Sequence, residues 1–245
     1  MKKILLLFFF VHSAACPKIL ITLEGTTGAG KSTLLKLIQE DLSDLVQVVY
    51  EPVDKVQDVG GKGNLLELYY QDNKRWTYTF QTYAFVLQDQ VAFQVAQETD
   101  KNILIGDRSI FSTYYVFGKM LHQGKIFSPL EWHLYSEWFD YAQARTSMKP
   151  SAFIYLRTTP DVCYMRIKKR NRSEEQEALL DYYMQEYYFH EKWLIDKEDI
   201  DDQWLLDRPL LILDGNLDFL HNVDARAHIM RQVRTFIEQC MEDLL

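Results

Sequence analysis

The fold of this chain is decided by residues 25–33, Gly25-Thr26-Thr27-Gly28-Ala29-Gly30-Lys31-Ser32-Thr33. The first glycine is followed by four residues and then by Gly-Lys-Ser, which is the spacing of a phosphate-binding loop. An apolar run, 19–23, precedes the segment, and leucine and isoleucine at helical spacing follow it over 34–42. The sequence therefore predicts a strand, a phosphate-binding loop and a helix in succession.

Each residue type in this loop has a chemical reason. Glycines let the backbone bend until successive N–H groups point inward, and these dipoles, with the start of the following helix, hold a polyphosphate. Lys31 supplies a mobile positive charge to the outer phosphates, and Ser32 supplies a hydroxyl ligand for Mg²⁺. A ligand-free glycine turn is the alternative interpretation. A dinucleotide fingerprint fits less well, because Thr33 stands where its last glycine would be.

The composition sets limits on the class of protein. The chain has 245 residues, 47% of them hydrophobic, which suits one α/β domain with a large core. Its net charge of −8 argues against a protein that holds a nucleic acid polymer by its phosphates. Three separated cysteines, Cys16, Cys163 and Cys240, form neither a metal-binding spacing nor a disulfide framework, which fits a reducing compartment.

Residues 1–17 form an atypical leader before the domain, which we place at 18–245. Two lysines, a short apolar run and Ser13-Ala14-Ala15-Cys16 are typical of an export signal. Against export, a protein that uses a nucleoside triphosphate belongs where that triphosphate is made. We expect an intracellular, cytoplasmic protein with no membrane segment, with export as the alternative.

The chain alternates between strand and helix patterns, without repeats or an interdomain linker. Strands are predicted at about 18–24, 46–50, 103–106, 152–156 and 210–213. Helices are predicted at about 31–42, 65–71, 76–99, 109–120, 129–145, 174–195 and 222–242, with a further helix that begins at Pro160 behind a Thr159 cap. We expect 54–63 and 196–202 to be loops. This alternation predicts a parallel sheet flanked by helices.

Charged residues follow two of these strands. Parallel strands bring their carboxyl ends to one edge of the sheet, where ligands bind, so Glu51 and the Asp107-Arg108 pair are expected beside the phosphate loop. Glu51, on a corner stiffened by Pro52, is the candidate general base. Asp107 is a candidate ligand for Mg²⁺ through water, and Arg108 would hold that carboxylate or the substrate. A helix-capping or salt-bridging glutamate is the alternative for Glu51, and a structural ion pair is the alternative for Asp107 and Arg108.

A basic segment follows the fourth strand. Arg166, Arg170 and Arg172 suit a lid that closes over the phosphates of ATP. A solvated charged face is the alternative, because Lys168 and Lys169 lie in the same segment.

Taken together, these motifs resemble the animal-type deoxynucleoside kinases, which include the deoxycytidine, deoxyguanosine and mitochondrial thymidine kinases and the insect multisubstrate enzyme. The resemblance covers about residues 18–220. It rests on the following segments: Gly25 to Thr33, Glu51-Pro52-Val53, Arg75-Trp76, Phe80-Gln81-Thr82-Tyr83, Asp107-Arg108-Ser109, Arg166 to Arg172, Glu174-Glu175-Gln176 and Asp218-Phe219.

The resemblance implies a P-loop kinase with a five-stranded parallel sheet, usually a homodimer, that transfers the γ-phosphoryl group of ATP to the 5′-hydroxyl of a deoxynucleoside. By position, Glu51 would be the base and Arg108 the clamp on the 5′ end, and Ser32 and Asp107 would lie on the metal side. The remaining implied contacts are Tyr70 and Glu175 to the sugar 3′-hydroxyl, Gln81 to the base edge, Phe117 stacked on the base, and Asp218-Phe219 beside the base of ATP.

The chain departs from the family pattern at several positions. Asp107 replaces the usual glutamate, and Val56 replaces a tryptophan that packs against the substrate. Gln88 and Thr113 stand where members that prefer cytidine or purines carry an Arg and Asp pair and thymidine-accepting members carry apolar residues. Without the charged pair, we lean towards pyrimidines or broad specificity.

Two other functions compete with this prediction. Thymidylate kinase has a similar loop, a Glu-Pro and an Asp-Arg pair, but it would need a site for the phosphate of its substrate. An exported or membrane-tethered nucleotide-binding protein without turnover is suggested by the leader.

Overall fold

A computed structural model describes residues 18–146, 148–172 and 179–244. The chain folds around a five-stranded sheet in the order β2-β3-β1-β4-β5, and every neighbouring pair is parallel. The strands are β1 (Ile19–Glu24), β2 (Val46–Val49), β3 (Ile103–Asp107), β4 (Pro150–Arg157) and β5 (Leu210–Asp214). The predicted fold class and all five predicted strands are confirmed.

Helices connect the strands and cover both faces of the sheet. The helices are α1 (Lys31–Asp41), α2 (Val53–Gln57), α3 (Leu65–Gln71), α4 (Asn73–Glu98), α5 (Ile110–Ser112), α6 (Lys119–Gln123), α7 (Pro129–Arg145), α8 (Pro160–Arg170), α9 (Leu180–His190), α10 (Gln203–Leu206) and α11 (Val223–Leu244). Among the described residues, the π-helical segments Thr113–Gly118 and Glu191–Ile195 follow α5 and α9 directly. Within the described ranges, no helix has the length and apolar character needed to cross a membrane.

The core lies on the two faces of the sheet, because successive strand side chains point in opposite directions. Ile21 and Ile154 belong to an aliphatic cluster that the sheet forms with α1 and α11. Phe153 and Tyr155, on the other face, belong to an aromatic cluster with the Thr113–Gly118 segment and α7. Many of the aromatic residues that the structure describes are therefore core.

Several predicted boundaries were wrong. The expected loop at 54–63 begins with α2, which places the acidic Asp54 in its first turn and buries Val56. The long helix begins at Asn73 rather than Trp76, because the Asp72 side chain accepts a hydrogen bond from the Arg75 N–H and caps it. The short α10 was not predicted.

Two other features of the predicted helices differ. Thr159 precedes α8 but does not cap it through its side chain, because its hydroxyl donates to Asn216 Oδ1 at 3.1 Å. The helix predicted at 109–120 is instead α5, a π-helical turn and α6. Tyr135 fixes this turn: its ring lies against Gly118, and its hydroxyl donates to the Thr113 carbonyl at 2.8 Å. Of the helix predicted at 174–195, residues 174–178 lie outside the described residues.

Candidate active site

The carboxyl ends of the strands open into one cleft with a volume of about 690 Å³. Most predicted site residues line this cleft, namely Thr27, Gly28, Gly30, Lys31, Ser32, Thr33, Glu51, Tyr70, Gln81, Gln88, Asp107, Arg108, Thr113, Phe117, Arg166, Arg170, Arg172, Asp218 and Phe219. Gly25, Thr26 and Ala29 belong to the loop but not to the cleft lining. Glu175 lies outside the described residues.

The phosphate loop is held by backbone geometry that its glycines permit. Gly25, Gly28 and Gly30 have φ angles of 147°, 84° and 108°, in the region that favours glycine. A Cβ atom on Gly28 would lie 2.6 Å from the Cys163 carbonyl oxygen, and one on Gly25 would lie 2.7 Å from that of Leu156. Larger residues would therefore push the loop away from α8 and β4.

Lys31 follows the last glycine and is buried against the loop. Its ammonium donates to the carbonyl oxygens of Gly25 at 2.8 Å and Thr26 at 3.3 Å. Burial lowers the pKa of Lys31, and the nearby Arg108 charge lowers it further, while Asp107 opposes this. The lysine therefore lies among the backbone groups of the loop, where an anionic ligand would stabilise its charged form.

Asp107 ends β3 beside the start of α1. The Ser32 hydroxyl donates to Asp107 Oδ2 at 3.4 Å, and Asp107 Oδ1 is buried without a hydrogen-bond partner among the described residues. Burial raises the pKa of Asp107, the Lys31 ammonium opposes the increase, and Glu51 adds to it. The shorter carboxylate therefore still reaches the serine of the phosphate loop.

Arg108 follows β3 and is held through both its backbone and its side chain. Its φ angle of 66° is left-handed, and its N–H donates to the Leu23 carbonyl on β1 at 3.0 Å. Burial would lower the pKa of the guanidinium, but the carboxylates of Glu186, Glu51 and Asp107 raise it, so the group stays charged. The guanidinium carbon lies 4.7 Å from the centre of the Phe117 ring.

Glu51 lies in the turn between β2 and α2, and Pro52 occupies the N-cap position of the helix. It is exposed and lines the cleft. Its negative charge opposes the fall in the pKa of Lys31 and contributes to the rise in the pKa of Arg108. The structure therefore brings together the residues from three strand ends that the sequence singled out.

The wall on the far side of the phosphate loop is formed by α3, α4 and the first π-helical segment. Gln81 is 3% exposed and lines the cleft. Thr113 Oγ1 donates to Gln88 Oε1 at 2.8 Å, so these two residues form a neutral hydrogen-bonded pair. Val56 also lines the cleft, as a smaller apolar group than the expected tryptophan.

The basic segment contributes in two ways. Arg166 Nη1 donates to the carbonyl oxygens of Ala29 at 2.7 Å and Gly215 at 2.9 Å, which ties the phosphate loop to the end of β5. Arg170 ends α8, Arg172 lies two residues beyond it, and both line the cleft. Phe219, which was expected beside the base of ATP, is buried next to the phosphate loop: a Cβ atom added to Gly30 would lie 3.1 Å from its ring. Arg166 therefore has a structural contact as well as a place in the cleft.

Two buried carboxylates near the cleft, Glu24 and Glu186, were not predicted from the sequence. Glu24 ends β1, accepts a hydrogen bond from Ser109 Oγ at 2.8 Å, and has its pKa raised by burial. Glu186, on α9, bonds to the phosphate loop and to Arg108. Its position among buried residues, three after Tyr183 and three before Phe189, is the signal that could have identified it.

Comparison with known proteins agrees with this geometry. The profile of the deoxynucleoside kinase family matches residues 21–238. The chain belongs to that family. The prediction of an ATP-dependent deoxynucleoside kinase is therefore confirmed at the level of the family.

Individual deoxynucleoside kinases are similar over most of the chain. The chain is 32% identical to Deoxycytidine kinase 2 of Gallus gallus over 238 residues, 89% of this chain and 89% of the relative. It is 32% identical to deoxycytidine kinase of Homo sapiens over 240 residues, 89% of this chain and 90% of the relative. Mitochondrial deoxyguanosine kinase of Xenopus laevis is 30% identical over 236 residues, 89% of each.

Proposed function

We propose that this deoxynucleoside kinase family member transfers the γ-phosphoryl group of ATP to the 5′-hydroxyl of a deoxynucleoside. The observation that carries the proposal is that one cleft contains both a phosphate loop and a wall suited to a nucleoside. The loop and the wall meet at Arg108, which bonds to Thr27 and lies over the Phe117 ring. Relatives named as deoxycytidine and deoxyguanosine kinases support a deoxynucleoside as the acceptor.

The catalytic groups would act together on the deoxynucleoside that accepts the phosphoryl group. Glu51 takes the proton of the 5′-hydroxyl, whose oxygen forms a bond to the γ-phosphorus while the bond to the bridging oxygen of ADP breaks. Arg108 holds the 5′ end of the nucleoside and offsets the negative charge that develops there. Lys31 and the loop N–H groups bind the phosphates, and Arg166, Arg170 and Arg172 cover them.

A magnesium ion fits the oxygen atoms at the end of β3. The buried Asp107 Oδ1 lacks a hydrogen-bond partner among the described residues, and the exposed Ser32 hydroxyl lies beside the same carboxylate. Hard oxygen ligands of this kind suit Mg²⁺, which keeps part of its hydration shell. When bound, the ion would supply positive charge to the phosphate oxygens of ATP.

The nucleoside would lie against α3, α4 and the Thr113–Gly118 segment. Tyr70 and Glu175 would bind the sugar 3′-hydroxyl, Gln81 would pair with the base edge, and Phe117 would stack on the base. The hydrogen bond between Thr113 and Gln88 joins two uncharged side chains, where members that prefer cytidine or purines carry an Arg and Asp pair. This difference supports a preference for pyrimidines or broad specificity. The adenine of ATP would contact Asp218 and Phe219.

We also infer a homodimer formed through α4 and α7. Both helices expose apolar side chains, with Val86 at 59% and Trp138 at 53% exposure, beside a groove of about 1030 Å³. An apolar face of this kind on a chain with a complete core is typical of a subunit interface. Sedimentation of Val86→Asp should show monomers. Val223→Asp, which changes an exposed valine on α11, should leave the dimer intact.

Residues 18–245 would form the catalytic domain, and 1–17 a leader. Because the reaction consumes ATP, we place it inside the cell, in the cytoplasm. Export is the alternative. Cell fractionation followed by sizing of the mature chain would distinguish a cytoplasmic protein from an exported one.

A panel assay with ATP tests the proposed reaction. Deoxynucleosides, ribonucleosides and thymidylate are offered separately, and the products are identified by mass. We expect turnover of one or more deoxynucleosides, with a pyrimidine among the best. Turnover of thymidylate alone would instead favour a nucleoside monophosphate kinase, and ATP binding without any turnover would favour a binding protein.

A further inference from the structure

Glu186 is a buried acid that reaches the phosphate loop from α9. Its side chain is fully buried, and Oε1 accepts hydrogen bonds from the Thr27 N–H at 2.8 Å and the Thr27 hydroxyl at 3.1 Å. Thr27 lies in the cleft lining. A carboxylate therefore takes the N–H of one loop residue, which removes that group from the donors available to phosphate.

The same oxygen also accepts a hydrogen bond from Arg108, on the side of the cleft where the deoxynucleoside would lie. Arg108 Nη2 lies 3.2 Å from Glu186 Oε1 and 3.2 Å from Thr27 Oγ1, so the three groups form a closed triangle. The Thr27 hydroxyl accepts from the arginine and donates to the glutamate. One carboxylate oxygen thus links a residue of the phosphate loop to the arginine at the end of β3.

Two atoms of this pair have no hydrogen-bond partner among the residues that the structure describes. These are Glu186 Oε2 and Arg108 Nη1, both buried. Apolar side chains often replace a buried ion pair without loss of stability, and a pair with unsatisfied atoms is less favourable still. The burial of Glu186 therefore has no sufficient explanation in the stability of the fold.

Glu186 does not itself line the cleft, because its side chain is fully buried. Its carboxylate would also repel the phosphates of ATP. Its influence must pass through the two donors that it holds. Arg108 needs such support, because its backbone is in a left-handed conformation and its long side chain would otherwise sample many rotamers.

We propose that Glu186 is a positioning residue that fixes Arg108 relative to Thr27, so that the 5′ end of the acceptor is aligned with the phosphate loop. This inference rests on the proposed kinase function. It predicts that loss of the charge at position 186 impairs the reaction of the deoxynucleoside. Loss of the oxygen that accepts the hydrogen bonds of Thr27 should also impair the binding of ATP.

Two substitutions separate these effects. Glu186→Gln keeps a carbonyl oxygen for Thr27 but removes the charge opposite Arg108. We expect kcat/KM for the deoxynucleoside to fall about tenfold or more, as for loss of a charge-assisted hydrogen bond, while KM for ATP changes less than about twofold. Glu186→Leu should lower kcat/KM for both substrates.

The matched control is Glu191→Gln. Glu191 also pairs with an arginine, Arg157, and accepts a hydrogen bond from the buried Tyr155, but it does not line the cleft. This variant should keep kcat/KM for the deoxynucleoside and KM for ATP within about twofold of the wild-type values. Melting temperatures of all variants are measured so that activities are compared only among folded proteins.

A double substitution tests whether Glu186 acts through Arg108. In an Arg108→Gln background, Glu186→Gln should change kcat/KM less than about threefold, because the partner is already lost. If turnover is too slow to assay, the dissociation constant of the deoxynucleoside is compared instead. The inference would be overturned if Glu186→Gln lowered kcat/KM by the same factor in both backgrounds. It would also be overturned if the single Glu186→Gln variant stayed within twofold of wild type. An inactive wild-type enzyme would instead refute the proposed function.

Discussion

The two ends of the cleft are built by different means. At the phosphate end, backbone groups form the surface, and Gly28 fits only because it has no side chain to meet the Cys163 carbonyl. At the base end, side chains form the surface, and the bond between Gln88 and Thr113 is one neutral contact between two helical segments. The first end allows almost no alternative residue, whereas the second could accept many.

This difference explains which properties each end controls. A backbone cradle recognises phosphates, which every nucleoside triphosphate shares, so it defines the class of reaction. Side chains that present amides and hydroxyls recognise the edge of one base over another, so they define the preferred substrate. Substitutions at the two ends should therefore differ in both size and kind.

The largest expected effect lies between the two ends, at Glu51. Glu51→Gln should lower kcat about a hundredfold or more, because the 5′-hydroxyl loses its proton acceptor, with little change in nucleoside affinity. Steady-state kinetics and calorimetry measure the two constants. Glu67→Gln is the control, because Glu67 is exposed on α3 and its hydrogen bonds in the described part of the chain join it to the nearby Asn64 and Gln71. An unchanged kcat would remove Glu51 from the role of base.

The next effect tests the backbone cradle. Gly28→Ala should lower kcat/KM for ATP about a hundredfold, because a φ of 84° and a contact at 2.6 Å would displace the loop. Gly61→Ala is a matched control, since Gly61 also has a positive φ, 70°, but nothing lies within 4 Å of its Cβ position. Similar losses in both variants would attribute the effect to backbone strain rather than to the close approach.

A smaller effect is expected at the base end. Gln81→Leu should raise the KM for the deoxynucleoside about tenfold, because the base edge would lose a buried hydrogen-bonding partner, while KM for ATP stays unchanged. Gln94→Leu, on the exposed side of the same helix, controls for the loss of a glutamine. Parallel changes in both KM values would contradict the separation of the two ends.

The smallest expected effect concerns base preference. Gln88→Leu should raise the ratio of thymidine to deoxycytidine turnover about fivefold, because an apolar side chain favours the thymine methyl group and one neutral hydrogen bond is lost. Thr113→Val removes the other partner of the same bond and should shift the ratio in the same direction. Opposite shifts would show that the pair does not act as a unit.

Much of the site was predictable because its residues follow strands. Glu51, Asp107 and Arg108 were placed at one edge from the topology of parallel sheets alone, and all three line the cleft. The helix α2 was missed because the polar segment around Asp54 resembles a loop, while its stability comes from Val56, which packs inward. Short helices depend on such contacts more than on local propensity.

The sequence by itself determined the phosphate loop, the alternation of strands and helices, and the family. These follow from local spacing, which survives in one dimension because backbone conformation and hydrophobic periodicity are local properties. Only the tertiary structure decided that Arg166 ties the loop to Gly215 and that Glu186 joins Thr27 to Arg108. Such contacts join residues separated by 49 to 159 positions, and burial and distance between them arise only when the chain folds.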